Sequence, residues 1–439
     1  MLVETIYQKK YEYMEDAMHI LTKIIKEDMK PALGVTEPGA IAFSVAKAKS
    51  YIAGEIKSVE VRLNSGIYKN AFTCGIPNSN EVGNTFAAAL GVVAGKAEKG
   101  LESLEDVTAE DNVKAQKLID DGKIKVELSK ITSDIIIESE VKTEKESCLV
   151  RIEGTHTNIV KIVLNGETIF EKEIEGKKED SQEVELHKFS VKEILDYINS
   201  VDISEIDFVM SAHKMNMELF QEGLNSKRTT FVKQLLKMNG DKIYSDNSLN
   251  TAQLLCNGAI EARVLGLNKP AMSITGSGAH GIITTLPLFA ETKVKGLSDE
   301  KLIRATMLSY LICTYIKEYS GRLSAFCGCG IAGGTGVACG LGYLRGATLE
   351  EITNIINNMA SGIIGMICDG GNQGCTMKGI VAVDAAYRAV EMAMNNTYIF
   401  NVHGINGVVP ERTMMNMGRI ASPGMIETEK VIVDIFKEK

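Results

Sequence analysis

DIIIESEVKT (134–143), SCLVRIE (147–153) and NIVKIVLNGETIF (158–170) decide how the first part of this chain folds. Apolar and polar residues alternate along these runs, or β-branched residues follow one another, which is the period-two pattern of half-buried strands. Asn165 and Gly166 stand between IVL and ETIF. Both tolerate positive φ, so the pair predicts a tight hairpin. With IKVEL (124–128) as the first strand, Lys123 to Ile174 reads as an antiparallel meander. Upstream, SVEVRL (58–63) alternates in the same way. Helical patterns surround it: residues 12–29, closed by Pro31; AIAFSVAKAKSYI (40–52), entered through a loop GVTEPG (34–39); and an apolar helix at about 85–97.

The period changes near Ser190. EGKKEDSQEVE (175–185) is charged and reads as an exposed linker. Beyond it, VKEILDYINS (191–200), TAQLLCNGAIEARVLGL (251–267), DEKLIRATMLSYLICTYIKEYS (299–320) and LEEITNIINNMASGIIGMIC (349–368) keep helical spacing. The expected architecture is an α+β N-terminal domain with an antiparallel meander, residues 1–188, followed by a mostly α-helical domain, residues 189–439, read as all-α.

Composition narrows the function. The 439 residues are 45% hydrophobic and 24% charged, which excludes wholesale disorder. A net charge of -9 argues against nucleic acid or an anionic membrane as the main partner. No apolar run reaches the roughly 18 residues of a membrane span. The start, MLVETIYQKK, is polar and lacks the apolar region of a secretory signal, so the cytoplasm is the expected address. Nine cysteines are an odd number, and in such a chain they do not read as a disulfide framework. Six of them, Cys313, Cys327, Cys329, Cys339, Cys368 and Cys375, crowd one stretch.

That stretch holds GRLSAFCGCGIAGGTGVACG (321–340) and GMICDGGNQGC (365–375). Residues 321–375 carry 14 of the 40 glycines, and glycine is costly inside helices, so close backbone approach between helices or to a bound group is implied. The Asp-Gly-Gly turn between Cys368 and Cys375 lets both thiols face one object, with Cys327 or Cys329 as a third. The residues alone leave three readings open: buried apolar cysteines in a glycine-packed core, an iron–sulfur cluster, or zinc. The C-x-C pair is too tight for the usual zinc knuckle. GTGVACGLG has no preceding strand and does not read as a dinucleotide loop. Lys317 lacks a neighbouring phosphate cradle and does not read as a pyridoxal phosphate lysine.

Together with PALGVTEPGAIA (31–42), CGIPNSN (74–80) and GSGAHGIITTLP (276–287), the cysteine motifs resemble the L-cysteine desulfidase family, which is related to the α region of the iron–sulfur L-serine dehydratases. The N-terminal half resembles the β region of those dehydratases. The resemblance implies a [4Fe–4S] cluster on Cys368, Cys375 and one of Cys327 or Cys329. It also implies conversion of L-cysteine to pyruvate, ammonia and sulfide, with dehydration of L-serine as the enzymatic alternative. One position departs. The family's motif is usually G-C-T-E-P, its cysteine taken as a catalytic base, and here Val35 stands in that place. Either another group is the base, or the substrate differs, or the chain is a non-catalytic amino-acid or cluster-binding protein.

The remaining candidates follow from chemistry. Thr36 and Glu37 precede a helix whose free N–H groups suit a carboxylate. His280, in a glycine-rich turn, suits proton transfer, and Ser277 in the same turn suits a substrate contact. Asn78 can hydrogen-bond a substrate, and Arg322 can clamp its carboxylate. The expected partner is a small amino acid, and a homo-oligomer is compatible with the sequence.

Overall fold

In the computed structural model, residues 20–172 and 185–439 are described. The first part of the 12–29 helix and nearly all of the 175–185 linker lie outside the described residues. Residues 20–28 are helical.

The N-terminal part is a six-stranded sheet in the order β3-β2-β4-β5-β6-β7. Here β2 is Ser58–Leu63, β3 Ile124–Leu128, β4 Ile136–Lys142, β5 Ser147–Glu153, β6 Ile159–Leu164 and β7 Glu167–Glu171. The meander is β4 to β7, each antiparallel to the next. IKVEL is not part of it. β3 lies parallel to β2, and β2 pairs antiparallel with β4 on its other side. A parallel pair needs a crossover, and helices Asn84–Val93 and Ala109–Asp120 supply it between β2 and β3. Asn165 and Gly166 turn from β6 to β7 with φ 51° and 85°. Along β5 every second side chain is buried, among them Cys148, Val150 and Ile152, because helix Thr36–Lys49 covers that face.

The C-terminal part is mostly helical. Ser248–Val264 and Asp299–Ser320 run through its core, their apolar residues buried on almost every side. Helix Gly334–Leu344 lies against the second of these. Much of the glycine density is explained there: a Cβ at Gly336 would stand 2.4 Å from Ser309 O, and one at Gly340 would stand 3.0 Å from Ala305 O. Only glycine lets the two backbones approach so closely.

One strand interrupts the helices. PAMS forms β8, Pro270–Ser273, which pairs antiparallel with β1, Lys30–Leu33, from the start of the chain. Four residues without alternation carry no period to betray them as a strand. The antiparallel register sets Lys30 opposite Ser273, so the end of the 20–28 helix, at Asp28, lies beside the 274–280 turn. Among the described residues, no helix is long and apolar enough to cross a membrane.

Candidate active site

Backbone pairing gathers the cysteines. Phe326 and Ile367 form an antiparallel bridge, with Cys327 N donating to Met366 O at 2.7 Å and Cys368 N to Ala325 O at 2.8 Å. The 369–373 turn then docks on helix Ser65–Ala71, where Gly371 N donates to Asn70 O at 3.1 Å. Gly370, at φ 99°, lies so near Lys69 O that a Cβ would stand 2.4 Å from it. Helix Gly374–Ala393 starts at once, carrying Cys375 in its first turn. Cys327, Cys329, Cys368 and Cys375 thus line a single cavity of about 80 Å³.

The other wall comes from the sequence's early motifs. Val35 is the N-cap of helix Thr36–Lys49, so Thr36 and Glu37 belong to its first turn and not to a preceding loop. Pro38 costs nothing there, since first-turn N–H groups have no helical partner. Val35 and Glu37 line the cavity. Thr36 Oγ1 donates to Glu37 Oε2 at 2.9 Å. Asn70 Nδ2 donates to Glu37 Oε1 at 2.8 Å, while Cys368 Sγ lies 3.7 Å from Asn70 Oδ1. The TEP turn and the cysteine turn are therefore linked through one amide. Burial alone would raise the Glu37 carboxyl. His156, 3.7 Å from Oε1, with the Asn70 amide and the Arg263 guanidinium, outweighs burial and holds it low, at about 2.

Thr275, just after β8, has φ 53°. Positive φ is strained for a β-branched residue, and such strain gathers at functional sites. The turn is pinned by Asp28, whose carboxylate accepts from Thr275 N and pairs with Arg322 at 3.2 Å. Thr275 Oγ1 donates its single proton to Ile274 O at 2.7 Å and so accepts from His280 Nδ1 at 2.5 Å. This hydrogen-bond pattern assigns the tautomer and leaves His280 Nε2 unprotonated. Nε2 lies beside Gly328 on the cavity wall, where a Cβ would stand 2.6 Å from it and 3.3 Å from Lys317 Nζ. Burial, with the positive charges of Lys317 and Arg263, holds the imidazole well below its usual range, so it is neutral at pH 7. Burial also pulls the Lys317 ammonium down, to about 8.

The sequence candidates divide. His280, Ser277, Glu37, Arg322 and the cysteines line this cavity, and Thr36 supports it through Glu37. Asn78 is not brought there. It sits in a positive-φ turn, its amide donating to Leu104 O and Glu105 O, beside a separate hollow of about 540 Å³. Asn70 and Arg263 also line the cavity, and sequence reasoning missed both. Asn70 carries no signal in SGIYKNA. Arg263 carried one, a charge, with Glu261, deep in a largely apolar helical run.

Among the described residues, no three His, Cys, Asp or Glu side chains stand close enough to hold a single metal ion. A cluster takes its thiolates from wider apart, because the cube itself fills the space between them. Cys327, Cys368 and Cys375 fit such a group as a donor set: three thiols from three backbone segments around one cavity. Lys69, Lys317 and Lys378 bring positive charge near Cys368, which suits an anionic group. Burial pushes the Cys327 thiol up to about 12, with Cys368 and Cys375 adding to the rise. Cys329 lines the cavity as well, its thiol donating to Ala279 O at 3.5 Å.

Residues 98–434 match the serine dehydratase alpha chain family. The chain belongs to that family. It is also 44% identical over 426 residues to a UPF0597 protein of Clostridium botulinum (strain Okra), covering 96% of this chain and 99% of that one. A UPF0597 protein of Caldanaerobacter subterraneus is 39% identical over 428 residues, covering 97% and 100%. One from Clostridium tetani is 37% identical over 422 residues, covering 96% and 98%. The match places this serine dehydratase alpha chain homologue in the broader family and is silent on cysteine desulfidation. Its matched span contains every cysteine and His280 of the cavity, while Val35, Glu37 and Asn70 reach the same cavity from outside it.

Proposed function

We infer that this chain is an iron–sulfur lyase that converts L-cysteine to pyruvate, ammonia and sulfide by α,β-elimination. One observation carries the reading: in a serine dehydratase alpha chain homologue, three thiols and an unprotonated imidazole nitrogen face one small, buried cavity. Cys327, Cys368 and Cys375 would hold a [4Fe–4S] cluster. Bound there, the cluster supplies a Lewis acid for the departing β-substituent.

The chain's own residues do the rest. His280 Nε2 takes the α-proton, and Thr275 fixes the tautomer that allows it. The Glu37 carboxylate, held ionised, and the first turn of helix Thr36–Lys49 orient the polar end of the substrate. The aminoacrylate then leaves and hydrolyses to pyruvate and ammonia.

The family match favours a second reading in which L-serine is the substrate and hydroxide the leaving group. Pyruvate release by anaerobically prepared protein from L-cysteine and from L-serine separates the two. Faster turnover of L-cysteine is expected. Faster turnover of L-serine replaces the first reading with the second. No pyruvate from either, with iron and sulfide retained, overturns both and leaves a binding protein.

A further inference from the structure

Arg263 is a buried charge with no ion-pair partner within contact distance among the described residues. It projects from helix Ser248–Val264 and is 3% exposed. Its Nε has no hydrogen-bond partner, and among the described residues its guanidinium makes no ion pair. An unpaired buried cation is expensive, and a fold retains one where something else supplies the counter-charge. The side chain reaches the cavity past Gly278, where a Cβ would stand 2.7 Å from Nε and 3.2 Å from Cδ. Arg322, the arginine expected to clamp a carboxylate, lines the same cavity but already holds Asp28.

A fixed anion stands in the same space. The Glu37 carboxylate is buried and gripped by Thr36 and Asn70, and it still has lone pairs to offer. No ion pair joins it to Arg263 among the described residues. The cavity therefore presents one unsatisfied cation and one fixed anion. The cavity is small, about 80 Å³.

We propose that Arg263 binds the α-carboxylate and Glu37 the α-ammonium of a free α-amino acid, so that the pair selects the zwitterion of a small amino acid and rejects its amide and its deaminated acid. Arg263 presents a planar fork that matches a carboxylate in two parallel hydrogen bonds. The assignment rests on the lyase reading only in taking this cavity as the substrate site.

Equilibrium binding of L-alanine tests it, because L-alanine has no leaving group and cannot be consumed. Anaerobically prepared full-length protein is titrated with L-alanine, L-alaninamide and propionate. Wild-type protein is expected to bind L-alanine at least about tenfold more tightly than either of the others, the loss of one charged hydrogen-bonding partner. Arg263→Gln is expected to weaken L-alanine by the same factor and to abolish the preference over L-alaninamide. Glu37→Gln is expected to abolish the preference over propionate. Arg263→Gln removes an unpaired charge, so its melting temperature is expected to be no lower than wild type. If that variant fails to fold, Arg263→Lys takes its place, with an intermediate loss. Unchanged L-alanine affinity in the arginine variant, or equal wild-type affinity for all three compounds, overturns the proposal. Pyruvate formation without L-alanine binding overturns it and spares the lyase. L-alanine binding without pyruvate formation does the reverse.

Discussion

Position 35 and position 280 compete for one role. Val35 has no exchangeable proton, yet it lines the cavity at the place where the resembling family carries its cysteine. His280 already has an unprotonated nitrogen there, and burial, aided by Lys317 and Arg263, keeps the ring neutral. General base catalysis typically contributes about 10²–10⁴-fold. His280→Gln is therefore expected to lower kcat at least about 100-fold with iron content unchanged. Val35→Cys is expected to change kcat by less than about threefold, because the base is already present. Steady-state pyruvate assays on the two variants decide it, and a large gain in Val35→Cys would move the base to position 35. Among the candidates, His280 was legible because histidine is rare in this chain and this one follows a run of turn residues. Asn70 was not, because it lies in a stretch, 64–84, that reads as turns, and Arg263 gave only a charge within a helical run that reads as core, where periodicity says which side is buried without saying that a cavity lies on that side.

Two helices carry tests of the packing. A Cβ at Gly336 would meet Ser309 O at 2.4 Å and Cys313 N at 3.3 Å, backbone atoms that cannot swing aside. Overpacking of this kind costs about 1–3 kcal/mol. Gly336→Ala is thus expected to lower the denaturation midpoint. Gly362→Ala, in helix Leu349–Ile363 with nothing within 4 Å, is expected to raise stability by roughly 0.5–1 kcal/mol. His213, on helix Met210–Asn225, gives the acid limb. Its Nε2 bonds Thr306 Oγ1 at 2.8 Å, and burial, aided by Lys293, pulls the ring down to about 3. The folded value lies below the unfolded one, so the unfolded chain takes up the proton first. Stability from the neutral ring is complete above pH 6.5 and is lost as pH falls from 6.5 towards about 3. Thermal melts at descending pH should fall more steeply for wild type than for His213→Gln, and parallel curves would contradict this. The helical spacing of these segments was plain in the sequence. The placement of β3 was not, because alternation marks a strand without naming its partner, and the long helical crossover gave the only hint of a parallel pair.

The two parts of the molecule close on one cavity. β1 pairs with β8, Asn70 holds both the TEP turn and the cysteine turn, and Lys69 reaches Glu429 of helix Ile426–Lys437 at 2.5 Å. Some of the contacts that assemble the cavity lie within the motifs, such as the Phe326–Ile367 bridge, and others come from residues no motif contained, such as Asn70 and Lys69. At this scale the central claim is that Cys327, Cys368 and Cys375 hold a [4Fe–4S] cluster and that Cys329 does not. Iron and sulfide analysis of anaerobically purified protein, with serine placed singly at these four cysteines and at Cys148 in the sheet, tests it most directly. Wild type, Cys329→Ser and Cys148→Ser are predicted to carry about four iron and four sulfide per chain, and the other three variants to lose most of both. A full complement in Cys368→Ser and Cys375→Ser, or none in anaerobic wild type, would contradict the account.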